Sequence, residues 1–182
     1  MGEETEPFPF LATKEYKRMK SLQLPEKIYL DDAISYKQLV SQLFKIFKAD
    51  LIDTKPYFRA RPVVFDNTYK DSDYPEGFWH VITRGKRDRR VDFKRAKRLP
   101  WLKYLIQQWN HPELRCWSAL EYSEHAGHEI MKYYIWYFEG KYLIVLKEIP
   151  GRYFLTTAFH VTGPREQKRF EEKYKLGNKS FI

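Results

Sequence analysis

Cysteine is nearly absent from this 182-residue chain, where Cys116 stands alone. No internal disulfide can form, and a thiol without a partner cysteine reads as a small buried residue rather than a nucleophile. Long apolar runs are missing as well. No stretch approaches the roughly 18 residues that a spanning helix needs, and the opening MGEETEPFPF is acidic where a signal peptide would be basic and then apolar. Glu6 stands where myristoylation favours Ser or Thr. The expected location is the cytoplasm, with no membrane partner. Gly-x-x-x-x-Gly-Lys-Ser/Thr does not occur, which removes support for P-loop chemistry. His125 and His128, with Glu121, Glu124 and Glu129 nearby, complete no standard ligand spacing, so no metal and no other cofactor is expected. Without internal repeats or low-complexity linkers, the simplest organisation is one domain over 1–182, with residues 1–13 as an extended arm.

What is abundant is positive charge, and it is concentrated. Between Gly77 and Lys103 lie ten of the 33 Lys and Arg against two acids, Asp88 and Asp92. That surplus accounts for nearly the whole net charge of +9. A one-signed field of this kind points to a polyanion as partner. Aromatics are also plentiful, at 18% of residues, and rings suit both strands and wet binding surfaces.

The clearest helix runs to about Leu51, with Leu39, Val40, Leu43, Phe44 and Phe47 on its apolar face. Asp31 or Asp32 can cap it, or Ser35 with Gln38 as a capping box. A shorter helix is expected over Lys14–Leu22. Residues 56–65 read as a strand confined to an edge or a bulge by Pro62. Phe78–Thr83 reads as a strand that puts His80 on a face with Phe78 and Ile82. Asp92 can cap a short helix through Arg98, and Pro100 can open a second one. From Arg115 the period changes to two. Strands over Glu129–Phe138, Lys141–Glu148 and Tyr153–Val161, joined by the turns Glu139-Gly140 and Pro150-Gly151, make an antiparallel meander, and Pro164 starts a charged C-terminal helix. The fold class is α+β, with N-terminal helices packed on a twisted antiparallel sheet.

The basic segment and the rings beside it have the makings of a nucleic-acid surface. Arg84, Lys86, Arg87, Arg89, Lys94 and Lys97 supply cations, Trp101 a ring for stacking, and Lys147 a further cation from the meander. Cleaving RNA without a metal requires a base for the 2′-OH, an acid for the leaving 5′-oxygen and cations on the phosphate. His80 suits the proton transfers, Arg90, Arg95 and Arg98 the phosphate, and Thr156 or Thr157 a hydroxyl contact, since strand alternation lets only one of the two face a site. The alternative is a non-catalytic RNA-binding or phage-assembly module in which the arginines hold RNA and His80 is structural. A basic module for an acidic protein is a third reading.

Phe78-Trp79-His80, then Arg90 through Trp101 (RVDFKRAKRLPW) and Tyr153 through Phe159 (YFLTTAF), resemble a group of small phage- and prophage-associated proteins. That group is placed with the fold shared by barnase, EndoU, colicin-type and RelE-like ribonucleases, and the resemblance covers roughly residues 56–165. It implies a metal-independent endoribonuclease of toxin type, with RNA as substrate and an acidic antitoxin or immunity protein as a partner. By position it implies His80 as acid or base, Arg90, Arg95 and Arg98 as phosphate or transition-state ligands, and Thr156 or Thr157 as a hydroxyl donor.

Overall fold

The computed structural model describes residues 21–30, 33–70, 72–85, 90–124 and 126–181. The arm over 1–13, most of the helix expected over Lys14–Leu22, and the caps Asp31 and Asp32 lie outside the described residues. Helix α1 spans Tyr36–Phe47 and starts at the capping box: the Ser35 hydroxyl accepts from the Gln38 amide, and the Gln38 side chain accepts from the Ser35 amide. Such a cap contributes about 1 kcal/mol. Its apolar stripe buries Leu39, Val40, Leu43 and Phe47, and a π-helical turn over Lys48–Asp53 carries Leu51 into the same core.

Among the described residues six strands follow in one sheet: β1 (Tyr57–Phe58), β2 (Arg61–Val64), β3 (Leu114–Ser123), β4 (His128–Tyr137), β5 (Tyr142–Ile149) and β6 (Arg152–His160). Their order is β1-β2-β6-β5-β4-β3. The meander forms as expected over β4, β5 and β6, and β3 extends it as a fourth antiparallel strand. The sheet as a whole is mixed, which corrects the expectation of a purely antiparallel one: β2 lies parallel to β6, with Val63 against Tyr153 and Val64 against Phe154. Positive φ at both Arg59 and Ala60 reverses the chain between β1 and β2, the conformation a type I′ hairpin turn requires. Side chains then hold β2 in place, because Arg61 donates to Glu148 at 2.6 Å and to the Tyr153 hydroxyl, while Arg59 donates to the Tyr133 hydroxyl at 3.3 Å. Pro62 is therefore in a strand flanked on both sides rather than on an edge.

Residues alternate along β4 between two cores. Tyr133 and Ile135 join the helices of the N-terminal half, with Ile144, Leu146, Leu155 and Ala158 from neighbouring strands. Tyr134 and Trp136 face the other way, with Trp117, Leu143 and Phe170. Phe170 belongs to the C-terminal helix α5 (Pro164–Leu176), so helices cover both faces of the sheet. Trp117 and Tyr134, directly opposed across β3 and β4, stack at 4.6 Å. No helix of the described residues is long and apolar enough to cross a membrane.

The segment Phe78–Thr83 is not a strand. Glu76–Ile82 forms helix α2, opened by Pro75 in an extended conformation. Helical residues step by about 100°, so Phe78, Trp79, Val81 and Ile82 fall in one buried arc and His80 points the opposite way. A strand would have split those four apolar side chains between two faces; the helix buries all of them together. Helices α3 (Phe93–Ala96) and α4 (Trp101–Gln107) complete this layer. The Asp92 carboxylate caps α3 by accepting from the amides of Lys94 at 2.9 Å and Arg95 at 3.2 Å. Leu102, Leu105 and Ile106 of α4 are fully buried.

Candidate nucleic-acid interface

Helix α2 ends against β6, and three of the sequence candidates, His80, Arg95 and Thr157, meet there. The His80 carbonyl accepts from the Thr157 hydroxyl at 3.3 Å and from the Arg95 guanidinium at 3.4 Å. His80 itself is exposed. Beside it, the Asp66 carboxylate accepts from the Thr68 hydroxyl at 2.6 Å and from the Thr68 amide at 3.0 Å. Burial alone would raise the Asp66 pKa, but those two bonds outweigh it, and with smaller help from the charges of His80 and Lys70 they hold the acid below its usual range. Asp66 went unnoticed in the sequence because it lies in a polar loop, remote from His80 until α2 folds back.

Arg95 is more than a surface cation. Its side chain is only 15% exposed, lies 3.7 Å from Asp92 and sits over the Phe159 ring at 5.4 Å. Burial lowers its pKa, with Asp92 opposing. Arg98 turns the other way: Nε donates to the Gly140 carbonyl at 3.2 Å, Nη1 donates to the Lys94 carbonyl at 2.8 Å, and the guanidinium stacks over Trp101 at 5.3 Å. Its pKa is lowered by burial too, against the pull of Tyr142 and Asp92. Lys94, Lys97, Arg84 and Arg90 are exposed around these two, and Lys86, Arg87 and Arg89 lie outside the described residues.

Three expectations change. Trp101 is a core residue, 4% exposed, whose indole donates to the Pro25 carbonyl at 2.8 Å and meets Tyr137 and Tyr142 edge-on, so it offers no open face for a base. Strict alternation at the threonines fails because β5 and β6 slip in register: Val145 opposes Thr157 and Leu146 opposes Leu155. Thr156 is the extra residue of that bulge, and its buried hydroxyl has no partner among the described residues. Lys147 stands at the other end of β5 from Tyr142, in register with Lys132 and Phe154 and with its ammonium over the Phe154 ring at 4.4 Å, away from Arg98.

His128 is exposed and meets the Ala126 carbonyl at 2.9 Å, while His125 lies outside the described residues. Among the described residues no group of three His, Cys, Asp or Glu side chains is placed to hold a metal ion. The Cys116 thiol is buried, donates to the Trp109 carbonyl at 2.9 Å and is pushed up by burial to about 12. Comparison with protein-family profiles, with curated proteins and with solved structures returns no match to the chain.

One more histidine emerges here without any signal in the sequence. His160 is opposite Tyr142 on β5, and its imidazole is pulled down to about 4, chiefly by burial and then by the charges of Arg98 and Lys94. In the sequence it is one of nine residues in a plain strand. Its surroundings come from α3 and the β4–β5 turn.

Proposed function

We propose that this protein is a metal-independent endoribonuclease of toxin type that cleaves RNA by internal attack of the 2′-OH. The observation that carries the reading is the junction of α2, α3 and β6: an exposed imidazole whose backbone carbonyl is held by Arg95 and Thr157, at the start of a segment that contains nearly all of the net positive charge. His80 takes the 2′-OH proton as the 2′-oxygen bonds to phosphorus. The bond from phosphorus to the 5′-oxygen breaks, and that oxygen leaves with a proton from water, the hydroxide so formed taking back the proton from His80, which gives a 2′,3′-cyclic phosphate, a 5′-OH end and the neutral imidazole. Arg90 and Arg95 balance the charge that builds on the phosphate, while Arg98, turned toward Gly140, stands back from the scissile bond. Thr157 positions His80 through its carbonyl rather than touching RNA. Asp66 lies close enough to His80 for that charge to help hold the acid below its usual range. The likeness of FWH, RVDFKRAKRLPW and YFLTTAF to the barnase, EndoU, colicin and RelE-like group supports the same chemistry, and with it an acidic antitoxin or immunity protein as partner.

A second reading has its own support. Arg95 and Arg98 both donate to backbone carbonyls of this chain, as structural arginines do, which suits a module that binds RNA without cutting it. Incubating wild type and His80→Ala with end-labelled RNA in EDTA at low salt, with a test for cyclic phosphate ends, separates the two. Cleavage by the wild type alone establishes the ribonuclease. RNA that is bound but intact in both lanes rejects it in favour of the binding module.

A further inference from the structure

The end of the sheet where β5 begins and β6 finishes holds two polar groups that the roles above leave unused. Tyr142 and His160 are cross-strand partners. The Tyr142 hydroxyl and the His160 Nδ1 are both buried, and neither has a hydrogen-bond partner among the described residues. Tyr142 is 0% exposed. Buried polar atoms are normally paired, since losing water without a replacement is costly.

The field around this pair is strongly one-signed. Lys94, Arg95 and Arg98 come from α3 and the turn that follows it, and Lys141 from the β4–β5 turn. The acids within reach are Asp92 on the α3 side and Glu166 on α5, which acts on Arg95. Both are already engaged: Asp92 caps α3 and pairs with Arg95, and Glu166 accepts from the Thr162 amide at 2.7 Å. Among the described residues these four cations, with Arg84 also acting on Arg95, therefore outweigh two occupied carboxylates. Burial, Arg98 and Lys94, with Asp92 opposing and Lys141 adding a smaller push, leave His160 neutral at pH 7. Burial is the larger part of what keeps the imidazole unprotonated; an anion entering this field cancels the cationic repulsion added to it, and the imidazolium then becomes a further donor to the anion. Arg95 joins this region to the His80 carbonyl, since it donates to that carbonyl while its charge also bears on Tyr142.

We propose that Lys94, Arg95, Arg98, Lys141 and His160 form a phosphate subsite, with the Tyr142 hydroxyl at its floor, that binds its anion with uptake of one proton at His160. Taking that phosphate to be one of RNA rests on the ribonuclease reading; the proton-coupled anion site itself does not need cleavage. The probe is inorganic sulfate, which mimics phosphate and carries no titrating proton in the range examined. Histidine ring resonances of the labelled full chain, with His160 assigned through His160→Gln, are followed against pH with and without sulfate.

The expected result is a His160 midpoint raised by sulfate from about 4 toward the ordinary 6.5, and a sulfate affinity that weakens about tenfold per pH unit between the two midpoints. Lys141→Gln, a change at an exposed position, is expected to weaken sulfate binding several-fold. A His160 midpoint that stays put up to the highest sulfate concentration the protein tolerates overturns the proposal. So does equal sulfate affinity in Lys141→Gln and wild type. Short oligonucleotides with 5′-phosphate or 5′-hydroxyl ends tell the sources apart: preference for the former marks a terminal phosphate, and equal affinity an internal one. RNA left intact by a protein whose His160 responds to sulfate rejects the nuclease reading and keeps the subsite, whereas cleavage beside a silent His160 rejects the subsite alone.

Discussion

Glu121 is the acid whose loss should be felt most clearly in stability. Its carboxylate accepts from Lys173 at 2.6 Å, Tyr134 at 2.5 Å and Lys132 at 3.1 Å, tying β3 to β4 and to α5. Burial would raise its pKa, but the bonds from Lys173, Tyr134 and Lys132 outweigh it and bring the acid from 4.5 down to about 2. At 1.36 kcal/mol per unit that shift corresponds to roughly 3 kcal/mol, which solvent screening reduces to about 2 kcal/mol. The sign follows from proton binding. Between pH 4.5 and about 2 the unfolded chain holds the Glu121 proton and the folded one does not, so this contribution is complete above pH 4.5 and is lost as pH falls toward 2. Glu121→Gln is expected to cost about 2 kcal/mol at pH 7, a drop in Tm of roughly 4–8 °C for a domain of this size. The gap between the two proteins should close progressively below pH 4.5. Urea or thermal unfolding of both proteins across this range, followed by circular dichroism, measures it. His160 titrates in the wild type and the variant alike and cancels in the difference. A gap that is the same at pH 7 and pH 2.5, or one under about 0.5 kcal/mol at pH 7, refutes the reasoning.

His160 has its own signature in the absolute stability of the wild type. Its folded pKa of about 4 lies below the ordinary 6.5, so the unfolded chain takes up the proton first and stability falls between pH 6.5 and 4; a flat profile in that window for wild type, or the same slope in His160→Gln, contradicts the assignment. Ala60 has φ of 61° in the β1–β2 turn, where glycine is unstrained, and Ala60→Gly should raise stability by up to about 1 kcal/mol in denaturant unfolding. Gly177→Ala should do the opposite, because a Cβ there would stand 2.3 Å from the Trp117 ring, and a loss of about 1–3 kcal/mol with disturbed near-UV dichroism is expected. Ellman's reagent should leave Cys116 untouched in the native protein and label it on unfolding, as its burial and raised pKa require; fast labelling of the native state would show that site to be open.

The parts legible in the sequence depend on neighbours within a few residues. Ser35 and Gln38 close a capping box because three residues bring their side chains back to one another's amides, and Asp92 caps α3 on the same principle. The strands of the meander were readable because period-two alternation and the tight turn at Glu139-Gly140 are local. Gly140 is needed there for space, since a Cβ would lie 2.5 Å from the Tyr137 ring and 2.8 Å from Trp101. In Phe78–Thr83 the pattern was too short to decide between periods, and the helix prevails because it buries four large side chains together and turns His80 outward.

Composition and spacing by themselves determined where the charge lies, which segments are strands in the second half and where three helices begin. The tertiary structure decided the rest. The parallel pairing of β2 with β6 joins residues some 90 positions apart, and no local rule specifies it. Trp101, an apparent stacking ring in the sequence, is drawn into the core by Pro25, Tyr137 and Tyr142. His160 owes its lowered pKa first to burial and then to the charges of Arg98 and Lys94, encoded some 60 residues earlier. Caps, turns and periods are short-range and can be read in order along the chain, whereas desolvation and Coulomb fields are sums over whatever the fold brings near, and they acquire values only when the chain has closed on itself.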